Sequence, residues 1–430
     1  MQRVLSFQMA RGLGESSEFV TKRMCFSFLF SVGFLCLLCG FLLGRFAAER
    51  NVEFRAEKKR LQLAGNGLES TEYLQNFLIR ELEKAPFDGN FSANWEMYDF
   101  KTGDVSRMTG ILSNLSFIHR VTKYKSCITA SVRGIREPDR YVVLSASGEG
   151  IGIVLELAKV LNEVQEEHGW KPRRSIVFCL FSGPSNVCSE ILPEFLRPKI
   201  VAYVAIHDYA FQGNGHFIVS GSNIIQSVII QAVNSVQNLY SYNERLLSTN
   251  NWTYNDGTIS HFNLDMPHAI LSFANDSVAY NDNDNERGLR RIILAQVLGQ
   301  SVWRASECLV VKWDTNNFNQ SVSRALESVS SSLEVWQIKE KLRAALVRLL
   351  SNVEYLNKKI DATESTNALE TRILNDLMMD LDRALLCFDK KLWSKTNYIK
   401  LSHEPSNVIV TYFNETIKCY ETAIQILHDW

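Results

Sequence analysis

Residues 141–208 decide the fold. In order they read YVVLSAS (141–147), GIGIVLELAKVLNEVQEEHG (150–169), RRSIVFCLFS (173–182) and KIVAYVAIHD (199–208). The three apolar runs carry almost no polar alternation. Such runs suit strands buried on both faces of a parallel sheet covered by helices. Between them Ile153, Leu157, Val160, Leu161 and Val164 recur at helical spacing, and Gly169 is placed to stop that helix. In an open α/β sheet, chemistry sits just past the carboxyl ends of the strands. Those ends read Ser145-Ala146-Ser147-Gly148, Ser182-Gly183-Pro184-Ser185 and His207-Asp208. The first two offer small neutral residues at the exit, with Glu149 the nearest acid.

Outward from this core, 430 residues leave room for further domains. Charge is balanced, 46 Lys+Arg against 47 Asp+Glu, which gives nucleic-acid binding no electrostatic support. Met24 to Leu43 is twenty residues without a charge, about 30 Å as a helix, the thickness of a bilayer core. It is too long for a cleaved signal peptide and reads as a permanent signal anchor. Basic residues flank it on both sides, so counting them does not orient it. Sequons at Asn90, Asn114, Asn251, Asn275, Asn319 and Asn414 all follow the span. The expected topology is a single-pass type II membrane protein, at the cell surface or an endomembrane, with its carboxyl-terminal bulk outside the cytosol. Of nine cysteines, six lie outside the span, an even number that permits disulfides. Cys179, mid-strand, is expected to be a small core residue.

Residues 1–23 form the cytoplasmic tail, 24–43 the span and 44–68 a charged stalk. Residues 69–317 read as an α/β domain. Within it Glu69–Lys84 is an amphipathic helix, with strand candidates around Phe117 and Cys127. Strands HFIVS (216–220) and AILSF (269–273) and helices at 223–236 and 289–310 complete it. From about Ser321 the pattern turns all-helical, with several apolar stripes. Residues 318–430 are assigned to that helical domain.

The segments VRGIREPDRYVV (132–143), Leu155-Glu-Leu-Ala, WKPRRSIVF (170–178), Val201-Ala-Tyr-Val, FIVSGS (217–222) and Met266-Pro267 resemble the protease-like domain of transferrin receptors and glutamate carboxypeptidase II. Leu374-Asn375-Asp376 and Phe413-Asn414-Glu415-Thr416 resemble the helical dimerisation domain of transferrin receptors. The match covers about residues 130–430. It implies a zinc-exopeptidase-like α/β fold, a mostly parallel sheet with helices on both faces, followed by an all-α dimerisation domain.

Active members of that family hold two zinc ions and a catalytic Glu. Carried over, the first-strand histidine ligand falls at Ser147, and the loop for the bridging aspartate is deleted, because the helix begins at Gly150. The glutamate pair falls at Pro184 and Ser185, and the third-strand aspartate at His207, or at Asp208 in a shifted register. The stretch after Phe273, ANDSVAYNDNDN, contains no histidine for the last ligand. Zinc needs three or four ligands in a tight cluster, and its water needs a base. No zinc or other cofactor is therefore expected. His207 and Asp208 are the weak candidates for a residual ligand. His216, His261 and His268 show no HExxH spacing and read as surface or locally satisfied histidines. Ser182-Gly183-Pro184-Ser185 is not a GxSxG elbow.

Two departures bear on partners. Only about forty residues, Asn90–Val132, stand where the family inserts an apical domain. The Arg-Gly-Asp associated with transferrin binding would fall near Gln337-Ile338-Lys339-Glu340 and is not there. The reading is a catalytically inactive receptor or binding scaffold. It is expected to form a homodimer through the helical domain, to bind an unidentified extracellular protein, to sit in the membrane through residues 24–43 and to bind no nucleic acid. The alternatives are a metallo-exopeptidase with a rebuilt metal site, and a structural glycoprotein or a fragment of a longer receptor.

Overall fold

A computed structural model describes residues 27–46, 50, 68–86, 102–124, 127–182, 188, 191–206, 210, 215–240, 266–273, 284–329, 332–362, 368–386 and 405–428. Backbone contacts divide the chain into two units, Met1–Tyr73 and Leu74–Trp430. The first contains helix α1, Ser27–Phe46, fully exposed and long and apolar enough to cross a membrane. It overlaps the expected span of 24–43, of which residues 24–26 lie outside the described residues.

The second unit is built on a seven-stranded sheet. Its strands are β1 (Arg120–Lys123), β2 (Cys127–Val132), β3 (Glu137–Ala146), β4 (Arg174–Phe181), β5 (Ile200–Ile206), β6 (Phe217–Gly221) and β7 (His268–Phe273). Their order is β1-β2-β4-β3-β5-β7-β6. The sheet is mixed rather than mostly parallel. β4, β3, β5 and β7 run parallel, whereas β1–β2, β2–β4 and β6–β7 are antiparallel. The parallel strands are the ones read as continuous apolar runs, and β4 and β5 are buried at every position. The antiparallel edges are short, and β1 alternates too little to be read from its sequence. Phe117, expected near a strand, is a buried turn residue.

Helices α2 (Leu68–Lys84), α3 (Thr102–Asn114), α4 (Gly150–His168), α5 (Asn223–Leu239) and α6 (Asp284–Glu307) follow the same chain order. From Leu74 onward they share one apolar cluster with a single face of the sheet, including Leu78, Leu157, Phe178, Val204 and Leu298. Each such side chain, fully buried, stabilises by about 1.5–3 kcal/mol. α4 ends where its glycine predicts: Gly169 has φ 64°, and its N–H donates to Gln165 O at 2.8 Å.

The opposite face carries Val143, Cys179, Phe181, Tyr203 and Ile270, under Cys188 and Leu192. Here one expectation fails. Cys179 is bonded to Cys188, with their Cα atoms 6.1 Å apart. Its side chain points to the face that the segment after β4 folds back over, so two cysteines nine residues apart meet. Cys419 is also disulfide-bonded. Cys127 and Cys308 are free thiols, and burial pushes that of Cys127 up to about 12.

The tail forms α7 (Asn316–Ser328), α8 (Leu333–Ala362), α9 (Ala368–Leu385) and α10 (Ser406–His428). In α8 Val335, Ile338, Leu342, Leu346, Leu349, Val353 and Leu356 recur at three- and four-residue steps and are buried. They pack with Leu374 and Met378 of α9 and with Phe413 and Tyr420 of α10. The same cluster includes Val201 of β5 and Ile224 and Val228 of α5, so the tail is packed onto the sheet domain.

Candidate functional site

The carboxyl rim of the parallel strands is where an α/β protein places its chemistry. β3 leaves the sheet at Ala146. Ser147 is buried, and its N–H donates to Ile206 O at 3.1 Å, tying the β3 exit to the β5 exit. Gly150 N donates back to Ser147 O at 3.0 Å, so three residues connect strand to helix and no loop intervenes. Gly150 makes this possible. A Cβ there would lie 2.8 Å from Ile206 Cγ2 and 2.9 Å from its carbonyl oxygen. The deletion expected between the first strand and its helix is thus a close packing of α4 against β5.

Among the described residues the acid beside the β3 exit is Glu149, at the start of α4. Its carboxylate accepts from Arg287 and, at 2.8 Å, from Arg291, both on α6. The carboxylate is 19% exposed, and the two guanidinium groups are 45% and 25% exposed. This cluster was not foreseen. Its signal lay in the i, i+4 spacing of Arg287 and Arg291, which aligns them on one side of a helix. A helix face bearing ERGLRRI otherwise reads as solvated.

Of the positions read from the sequence, Ser147 is placed at the rim. Pro184, Ser185, His207 and Asp208 lie outside the described residues, as do His261, Asn90, Asn251 and Asn275. Asn114, Asn319 and Asn414 are exposed, on α3, α7 and α10. Thr416, the hydroxyl of the last sequon, is buried and donates to Tyr412 O at 3.0 Å. His216 is half-buried. His268 opens β7 beside Tyr203 and is buried. Its Nδ1 donates to Met266 O at 2.8 Å, and burial, opposed by that hydrogen bond, pushes its pKa down. It is a core histidine satisfied at Nδ1 only, since its Nε2 is buried without a hydrogen-bond partner.

Zinc, which the family resemblance implies, can be tested against these side chains. Among the described residues no group of three His, Cys, Asp or Glu could hold a metal ion. Ser147 offers a neutral hydroxyl, and Glu149 stands between two cations that repel a dication. The described rim residues do not fit a zinc site.

The scaffold is peptidase-like. No family model matches the chain. Transferrin receptor protein 1 of Gallus gallus is 29% identical over 136 residues, 28% of this chain and 17% of that protein. Aminopeptidase NAALADL1 of Mus musculus is 21% identical over 368 residues, 70% of this chain and 48% of that protein. Probable glutamate carboxypeptidase LAMP1 of Arabidopsis thaliana is 23% identical over 361 residues, 72% of this chain and 51% of that protein. The chain is similar to transferrin receptors and to glutamate carboxypeptidase-like proteins, and it spans about half or less of these relatives' length. Among solved structures it is similar to the aminopeptidase from Aneurinibacillus sp. strain AM-1. That likeness has a TM-score of 0.31 and 15% identity, and covers 43% of this chain and 50% of that one.

Proposed function

We propose that this chain is a catalytically inactive, membrane-anchored peptidase-like ectodomain that works as a receptor or binding scaffold. The observation that carries the reading is the clamp of Arg287 and Arg291 on Glu149. A metallopeptidase needs a carboxylate free to ligate metal or to take a proton from water. The carboxylate nearest the β3 exit is instead neutralised by two guanidinium groups. A fold kept without its chemistry persists for its surfaces.

The decisive experiment measures zinc content and exopeptidase activity on the full chain in detergent. The expected result is substoichiometric zinc and no chelator-sensitive release of amino-terminal or carboxyl-terminal residues from peptides. Stoichiometric zinc with chelator-sensitive hydrolysis overturns the scaffold reading and establishes an exopeptidase with a rebuilt metal site.

Self-association through residues 318–430 belongs to the same proposal. Its support is the outer side of α8, where Trp336 and Val347 are 53% and 64% exposed. Eleven residues apart, they fall on one line of the helix, with Leu333 and Tyr355 to one side. The occupant proposed is a second copy, and sedimentation as a concentration-independent monomer excludes it. The type II orientation predicts glycans at Asn114, Asn319 and Asn414. Unchanged gel mobility after glycosidase digestion counts against that orientation.

A further inference from the structure

One face of α9 carries polar side chains into the joint between the tail and the α/β body. Asn375 donates to Leu309 O at 2.8 Å and accepts from Val311 N at 3.3 Å. Seven residues on, two turns along the same face, Asp382 accepts from Ile224 N at 2.9 Å through Oδ1. Ile224 lies in the first turn of α5, whose preceding residue is Ser222. The Ser222 hydroxyl accepts from His268 N at 3.0 Å and donates to His268 O at 3.2 Å. It is also within reach of Asp382. A hydroxyl has one proton to give, so a charged Asp382 competes with His268 O for it.

The second oxygen of Asp382, Oδ2, is buried and has no partner. Beside it is a cavity of about 10 Å³, lined mostly by apolar groups of Val201, Ile224, Pro267, Met378 and Met379, with Asn375 at one side. The space is about that of one water molecule, and the polar side chains in its lining are Asp382 itself and Asn375, which is already bonded to Leu309 O and Val311 N. A lone oxygen against apolar walls is poor surroundings for a negative charge and acceptable ones for a neutral carboxyl.

We propose that Asp382 is a proton-operated switch in the joint between α9 and the α/β body. Protonated, it keeps its bond to Ile224 N and the joint closes. Ionised, it holds uncompensated charge against the cavity and the joint loosens. The inference does not depend on whether the rim hydrolyses peptides.

The charges around Asp382 are few. Arg383 is the cation nearby on its own helix, and its guanidinium is divided between Asp380 at 2.9 Å and Pro198 O at 2.8 Å. From β7, His268 faces it through Ser222, with its pKa pushed down by burial. Ile224 and Ile225 of α5, Val201 of β5 and Val311 bring no charge. Burial therefore dominates and pushes the Asp382 carboxyl up to about 6, against the opposing effects of Ser222, Ile224 N–H and Arg383. A raised carboxyl stabilises the fold fully below its ordinary value of 3.8, and that contribution is lost as pH rises through about 6. His268 works in the opposite direction on acidification, so the switch is isolated by comparing variants at each pH.

The test uses the full chain in detergent, with urea midpoints and hydrogen exchange of α9 and α5 at pH 5 and pH 8. Asp382→Asn copies the shape of the neutral acid and keeps an acceptor for Ile224 N. Asp382→Ala removes the cap. Asp382→Asn is expected to exceed wild type at both values, and its advantage in folding constant to grow roughly tenfold between pH 5 and pH 8. It also removes the loss of α9 protection that wild type shows as pH rises. Asp382→Ala is expected below wild type at both values. If Asp382→Asn falls with Asp382→Ala at pH 8, the joint depends on an ionised, hydrated carboxylate and the proposal is wrong. If Asp382→Asn tracks wild type at both values, no proton is exchanged there and the proposal is equally wrong.

Discussion

The two ends of the parallel strands treat charge in opposite ways. At the amino ends, Glu137 of β3 accepts from Arg173 Nε at 2.6 Å and Arg174 Nε at 3.0 Å. Arg174 is fully buried, and it also donates to Ala305 O at 2.8 Å and Leu309 O at 3.0 Å, where α6 ends. Trp170 stacks on Trp303 at 4.7 Å beside this network. At the carboxyl ends the corresponding network is Glu149 between two partly exposed arginines. The amino-terminal network is built into the core and locks α6 to the sheet. The carboxyl-terminal one lies nearer the surface and neutralises the acid there. Polar residues at the first end are buried in the fold, and those at the second are partly open to solvent.

The comparison breaks most easily at Arg174. Arg174→Ala leaves Glu137 buried with half its partners gone. Removing one member of such a pair costs about 3–5 kcal/mol. A urea midpoint should register a loss of that size, and a loss under 1 kcal/mol would put the buried pair on a level with the rim.

A second handle at the same end is Glu307, the last residue of α6, which accepts from Arg173 N at 2.9 Å. Burial raises its carboxyl from 4.5 to about 7, against the pull of that amide and the neighbouring arginines. Because the folded value is the higher one, the fold is favoured below pH 4.5, and this contribution is lost as pH rises through about 7. The expected loss is roughly 1–2 kcal/mol, reduced from the full shift by partial solvent contact. Glu307→Gln should flatten that part of the stability–pH curve. An unchanged slope would show that Glu307 ionises freely.

Strand interiors and helix faces were legible in the sequence because hydrophobic spacing is local. YVVLSAS became β3, AILSF lies within β7, and Gly169 stops α4. The helical stretch after Ser321 divides at Val329, between α7 and α8. What stayed hidden is long-range. Arg287 and Arg291 meet Glu149 across about 140 positions of sequence, and Asp382 meets Ile224 across 158. No periodicity encodes such a meeting. The Cys179–Cys188 bond was near in sequence yet missed, because a cysteine within an apolar run gives no sign of which face it takes. The rim was half legible. Ser147 and the short connection to Gly150 could be read directly, whereas the arginines that bind Glu149 could not.

The smallest expected effect is also the most discriminating. Glu149→Gln should cost less than 1 kcal/mol, since partly exposed ion pairs contribute about 0.2–1 kcal/mol. A double-mutant cycle between Glu149 and Arg291 should return a coupling in that range, shrinking as ionic strength rises and the Debye length falls toward about 3 Å at 1 M salt. The same cycle between Glu137 and Arg174 should give a larger coupling that salt barely changes, because no ions reach a buried pair. If both couplings prove large and insensitive to salt, the rim is built as firmly as the base. Glu149 and its arginines would then be a structural element of the sheet, not a partly solvated pair at its rim.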